Sequence, residues 1–122
     1  LYLENTDLCL RQKNNNEKIY ILKNSKIKHL GSYYTKQDLS KNLEYLRNWH
    51  WMWSKFYFNK KHFGKFKAIK DGFPSYFSSI LKFLFYFLLN NKTKKKVYFN
   101  RASGFYNALL GKSSWYRPNL NN

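Results

Sequence analysis

The residues able to do chemistry crowd into the first part of this chain. Glu4 and Asp7 supply carboxylates, Asn5 an amide, Cys9 a thiol, Arg11 a guanidinium and His29 an imidazole. A carboxylate held at a helix start can take a proton from a hydroxyl group, and a neutral imidazole at a strand end can ligate a metal or donate to phosphate. Taken alone, Glu4, Asn5 and Asp7 are also ordinary helix N-terminal residues. Asn5 can cap, and Asp7 falls in the first turn, where the helix dipole favours negative charge. His50 and His62 lie among aromatics and lysines and read as structural or interfacial. Cys9 reads as a small core residue.

The elements that must position these groups follow from pattern. The first helix runs through Leu8 and Arg11 and stops at Asn14-Asn15-Asn16. Residues 18–22 and 26–30 form two short β-like runs divided by Asn24-Ser25, with Ile27 and His29 on one face of the second. A long helix is expected from Thr35, since Leu39, Leu43, Leu46, His50, Trp53 and Tyr57 recur at alternating spacings of four and three. Beyond Asn48 large apolar groups surround that helix, so a partner element or lipid must bury it. Asp71-Gly72-Phe73-Pro74 ends the region. Residues 76–89 are almost wholly apolar, but about 21 Å of helix falls short of a bilayer core of about 30 Å. A last helix from Val97 to Leu110 is expected to end at Gly111.

The sequence Tyr2-Leu3-Glu4-Asn5-Thr6-Asp7-Leu8-Cys9-Leu10-Arg11, with His29 downstream, resembles the acceptor-side catalytic segment of family 2 nucleotide-sugar glycosyltransferases, which have the GT-A fold. The stretch from Asn48 to Phe58 and the closing Arg101-Ala102-Ser103-Gly104-Phe105 to Arg117-Pro118 look like the C-terminal helical extension of bacterial members. The first 31 residues carry the specific part of the resemblance. It implies inverting transfer of a sugar from a nucleoside-diphosphate donor to the hydroxyl of a saccharide or lipid-linked acceptor, in cell-envelope polysaccharide or lipopolysaccharide synthesis. It also implies a divalent metal, Mg or Mn, in the intact enzyme, with His29 near the metal or diphosphate. The family's usual base position falls on Asn5, and an amide cannot take a proton. The role passes to Glu4, with Asp7 second, or is lost. Arg11 is expected to hold the acidic helix start by a salt bridge.

The chain begins with Leu1, and its best motif sits within the first eleven residues, which suggests a piece of something longer. The resemblance makes it the C-terminal part of an α/β GT-A enzyme: residues 1–32 the acceptor-side end of the catalytic domain, residues 33–122 a basic, aromatic helical extension. The fragment itself should be mainly α, with a short β piece at its N-terminus. It holds no Asp-x-Asp metal motif and no nucleotide-binding βα units, so it is expected to bind no cofactor and to be inactive alone.

Charge divides the chain the same way. Residues 1–22 hold three basic and three acidic residues, leaving 20 basic and 3 acidic for the remainder and the whole net charge of +17. Such a body suits an anionic partner, at about 1 kcal/mol per Lys or Arg near an anionic bilayer. Three readings compete for it: a compact helical core with a solvated lysine face, attachment to a membrane interface, and nucleic-acid binding. Nucleic acid is the weakest, because residues 76–89 are continuous and partly aliphatic and no RNA- or DNA-binding motif occurs. Trp49, Trp51, Trp53, Lys55, Phe56, Lys60 and Lys61 are the interface candidates. The expected location is cytoplasmic, peripheral at the inner face of the plasma membrane. The viable alternative function is a non-enzymatic basic module bound to membrane or RNA. One cysteine excludes an intrachain disulfide.

Overall fold

The computed structural model describes residues 2–26, 28 and 37–117, without the side chains of 37–40. Three helices follow in order: α1 (Glu4–Asn14), α2 (Gln37–Leu88) and α3 (Lys92–Leu109). Among the described residues there is no strand. The expected α/β character and N-terminal β piece are therefore overturned, and the described chain is all-α; residues 27, 29 and 30 of the second expected run lie outside the described residues. The physical reason lies in pairing. Two short runs divided by one turn could bond only to each other, and an isolated two-stranded hairpin is marginal in water. Residues 17–22 instead run as coil, with Ile19, Tyr20, Ile21 and Leu22 exposed. His29 lies outside the described residues.

α1 starts after Leu3, which takes the left-handed conformation at φ 66° without a side-chain cap. Asn5 therefore sits inside the first turn rather than capping it. The helix ends at the expected asparagines, with Asn16 at φ 57°. No residue of α1 is buried, and Cys9 is exposed rather than a core residue.

α2 is bent at Gly64, whose φ of 86° and ψ of 163° interrupt the helix. Two arms result, residues 37–63 and 65–88. The expected stop at residues 71–74 does not occur, and the second arm continues through Gly72 and Pro74. Gly72 is buried because α3 comes close there: a Cβ at this position would strike the Phe105 ring. Pro74, exposed, has no N–H to give, so one backbone hydrogen bond of the arm is missing there.

α3 begins at Lys92 rather than Val97, because Asn91 caps it: Asn91 Oδ1 accepts from the Lys94 backbone N–H at 3.0 Å. It ends where Gly111, at φ 74°, closes the last turn, with the Lys112 N–H donating to the Asn107 carbonyl at 2.9 Å.

The second arm of α2 and α3 form an antiparallel pair. Tyr86 stacks on Tyr98 at 5.6 Å, Phe83 meets Phe99 at 6.0 Å, and Tyr76 stacks on Phe105 at 5.0 Å. The first arm packs across both, in an up-down-up arrangement. Met52, Phe56, Ala68, Phe105 and Ala108 make the core, with the Phe56 ring edge-on to Phe105 at 5.3 Å. Gly104 lets α3 touch the first arm, since a Cβ there would strike the Trp49 carbonyl.

The buried apolar stripe of the first arm lies one residue round the helix from the one read in the sequence. Tyr45, Trp49, Met52 and Phe56 are the buried apolar positions, at the same four-and-three spacing. The neighbouring stripe of Leu43, Leu46, His50, Trp53 and Tyr57 faces α1 and lines the cavities between them.

Candidate functional site

The start of α1 lies against the first arm of α2, and two cavities open along that seam. The larger, about 660 Å³, has Tyr2 to Thr6 on one wall and Leu43, Leu46, Arg47, His50 and Arg117 on the other. The smaller, about 270 Å³, runs on between Glu4, Asp7 and Arg11 and the Trp53, Tyr57 and Lys61 side of α2. Glu4 lines both.

Glu4 is exposed, and its own backbone N–H, the largest influence, holds its carboxyl below the ordinary value. It is ionised at neutral pH. Asn5 lines the larger cavity beside it. Tyr2 shows the opposite shift: burial pushes its phenol up, partly offset by the nearby Arg47 guanidinium.

Asp7 is held differently. Its Oδ1 accepts from Lys61 Nζ at 2.6 Å and His62 Nε2 at 2.7 Å, and its Oδ2 accepts from Arg11 Nε at 2.9 Å. Lys61 first, then His62, draws its carboxyl well below the usual carboxylate range. A carboxylate with both oxygens so engaged is a poor proton acceptor, and its position makes it a clasp between α1 and α2. Both carboxylates read as candidate bases are thus held below their ordinary values, and Glu4 is the one that lines both cavities. Arg11, in turn, is placed on Asp7.

Asp7 is not placed to ligate the divalent metal implied by the resemblance, and His29, the residue expected near it, lies outside the described residues. Both Asp7 oxygens are taken by cationic donors. Among the described residues no three His, Cys, Asp or Glu side chains gather as a ligand set.

His50, read from the sequence as structural or interfacial, is a buried and hydrogen-bonded side chain. It is buried at the rear of the larger cavity, where the segment after α3 folds back over α2. Its Nδ1 lies 2.9 Å from Ser114 Oγ, and its Nε2 lies 2.9 Å from both the Tyr116 carbonyl and Arg117 Nη1. Arg117 only donates, and its Nη1 already serves that carbonyl at 2.8 Å. Nε2 can accept from Arg117 or, when it carries a proton, donate to the Tyr116 carbonyl, so the protonation of His50 decides which of the two it bonds. Burial, the largest cause, and the Arg117 charge hold the imidazole below its ordinary value, against the pull of the Tyr116 carbonyl. Trp49 completes this clamp, stacked on Tyr116 at 5.7 Å.

The interface candidates are scattered rather than gathered on one surface. Trp49 and Phe56 are core residues at 0% and 1% exposure. Trp53 donates its Nε1–H to the Lys112 carbonyl at 3.0 Å. Trp51 is exposed and meets the Tyr2 ring edge-on at 5.7 Å. Lys55 is half-buried, Lys60 is exposed, and Lys61 is on Asp7.

No protein-family model, curated protein or solved structure matches this chain. Its function therefore has to be argued from its own residues. Arg47 and Arg117 are the functional candidates that sequence reasoning missed. Arg47 carries a readable signal, one turn before His50 on a helix face that turns toward α1. Arg117 carries none, because only the return of residues 111–117 brings it to the cavity. Among the described residues no helix is long and apolar enough to cross a membrane.

Proposed function

We propose that this chain carries the acceptor side of a nucleotide-sugar glycosyltransferase site. The supporting observation is the larger cavity, where Glu4 and Asn5 of the motif-bearing segment share one chamber with the guanidinium groups of Arg47 and Arg117. One wall offers a carboxylate, the other positive charge, as sugar transfer from a nucleoside diphosphate requires. Glu4 takes the proton of the acceptor hydroxyl as that oxygen forms its bond to the anomeric carbon. The bond from the anomeric carbon to the diphosphate oxygen breaks, and the diphosphate leaves with the electron pair. Arg47 and Arg117 offset the charge that develops there. Asn5 orients the acceptor through its amide, and Asp7 with Arg11 fixes the helix that presents Glu4. The acceptor is a saccharide or lipid-linked saccharide of cell-envelope synthesis, and the site works at the inner face of the plasma membrane as a peripheral protein.

The test is transfer of labelled sugar from a panel of nucleoside-diphosphate donors to lipid-linked or free saccharides by the gene product that contains this chain. Glu4→Gln is expected to abolish turnover while leaving acceptor binding intact. An unchanged rate removes Glu4 from the role, and no transfer by the wild-type product with any donor overturns the reading.

A further inference from the structure

We propose that the outer face of the second arm of α2, with the tip that follows it, seats on an anionic lipid bilayer. Phe66, Phe73, Phe77, Leu81, Leu84 and Leu88 recur at spacings of seven, four, four, three and four, which places them on one side of the helix. All are half or more exposed, Phe66 and Leu88 at 82% and 81%. At helical rise the stripe is about 33 Å long. The arm's other side is already filled, by Ala68 in the core and by Tyr76, Phe83 and Tyr86 against α3. The outer face has no such cover within the described chain.

Charge identifies the occupant. From residue 65 to 117 there are eleven basic residues and one acid, Asp71, which is paired with Lys67 at 3.0 Å. Leu88 and Leu89 form an exposed apolar tip, followed at once by Lys92, Lys94, Lys95 and Lys96. The ammonium groups of Lys94 and Lys95 lie 5.3 Å and 5.2 Å from the Tyr86 and Phe87 rings, which keeps these charges at the tip of the arm. An apolar band edged by such lysines matches a surface with anionic groups above a hydrocarbon layer. A second copy would bring the same +17 charge to the contact and be repelled. A nucleic acid would meet the lysines and leave the leucines and phenyl rings in water. The seat lies in the interface plane, since no described helix can cross a membrane. It gives the peripheral placement proposed above a definite surface. It stands apart from sugar transfer, because none of these six residues lines either cavity.

Sedimentation of the full chain with vesicles tests the assignment, using phosphatidylcholine alone and phosphatidylcholine mixed with phosphatidylglycerol. Wild type is expected to bind the anionic vesicles at low salt, more weakly at high salt, and to bind the neutral ones poorly. Phe77→Ser with Leu84→Ser and Leu88→Ser should lower partition by about tenfold or more, because one lost apolar contact is alone worth about tenfold. Lys94→Gln with Lys95→Gln and Lys96→Gln should remove most of the preference for anionic vesicles. All six positions lie outside the core, and unchanged helical circular dichroism in each variant separates lost binding from lost folding. The proposal is overturned if wild type fails to bind anionic vesicles at low salt, or if the apolar variant binds as wild type does. It is equally overturned if wild type dimerises through this face without lipid, or if RNA displaces the vesicles from wild type and the apolar variant alike. Loss of sugar transfer in Glu4→Gln bears on none of these results.

Discussion

Asp7 Oδ1 lies 2.7 Å from His62 Nε2, a contact that spans 55 positions of sequence and ties the first helix to the second. Because the carboxylate is ionised, it only accepts, and the imidazole must present its Nε2–H to it. Lys61 and Arg11 close on the same group. Asp7→Asn is expected to free α1 while the core of α2 and α3 stays intact. Hydrogen exchange checks this, with protection in α1 falling by about tenfold or more and protection around Phe105 unchanged.

The same clasp gives an acid-side stability loss. The folded pKa of Asp7 is depressed, so its contribution is complete above the unfolded value of about 3.9 and fades as pH falls through the folded one. Exchange of α1 amides should therefore rise below about pH 4 in wild type and show little such rise in Asp7→Asn.

His50 acts at a higher pH. Its folded pKa is lowered, so the unfolded chain takes up its proton first, near the unfolded value of about 6.5. Between that value and the folded one the unfolded state binds more protons, and stability declines as pH falls. Melting temperature is expected to drop from about pH 8 to about pH 5, with a flatter profile in His50→Gln. An equal slope in that variant would remove His50 as the cause.

Gly104 and Gly64 separate two kinds of glycine requirement. Gly104→Ala pushes a methyl group into the Trp49 carbonyl, so α3 must move away, at a cost of about 1–3 kcal/mol. At Gly64 nothing lies within 4 Å of an added Cβ, and only the φ of 86° with ψ of 163° resists. Gly64→Ala costs about 1–3 kcal/mol through backbone strain alone. Thermal melts give both totals. Only Gly104→Ala should also change the near-ultraviolet circular dichroism of Trp49.

Phe105 is the side chain on which both arms of α2 converge, through Phe56, Tyr76 and Gly72. Phe105→Ala is expected to cost about 3–5 kcal/mol in chemical denaturation. A cost under about 1 kcal/mol would mean that the site collapses without loss.

What the sequence made legible was local chemistry. Gly111 marks the end of α3 because a left-handed residue after a helix favours glycine, whatever surrounds it. The asparagines that end α1 work the same way. Gly72 and Pro74 misled because their usual meaning is also local, whereas Gly72 stays helical to admit Phe105 from another element. The short β-like run at residues 18–22 looks like a strand only until a partner is sought. Trp49 and Phe56 looked available to lipid because their cover comes from α3 and the residues after it. At the site, Glu4 and Asn5 were visible from the start of α1 alone. Arg47 and His50 share a helix face whose period is readable, whereas their companion Arg117 depended on a chain reversal that no local pattern announces.

The polar nature of the clasp between α1 and α2 has a calorimetric consequence. α1 contributes no buried residue, so its release exposes little apolar surface and should carry a small heat-capacity change. Its detachment would therefore be nearly silent in a calorimeter. The large thermal signal would belong to α2 and α3 alone, and a single melting peak would not report whether Glu4 is still in place.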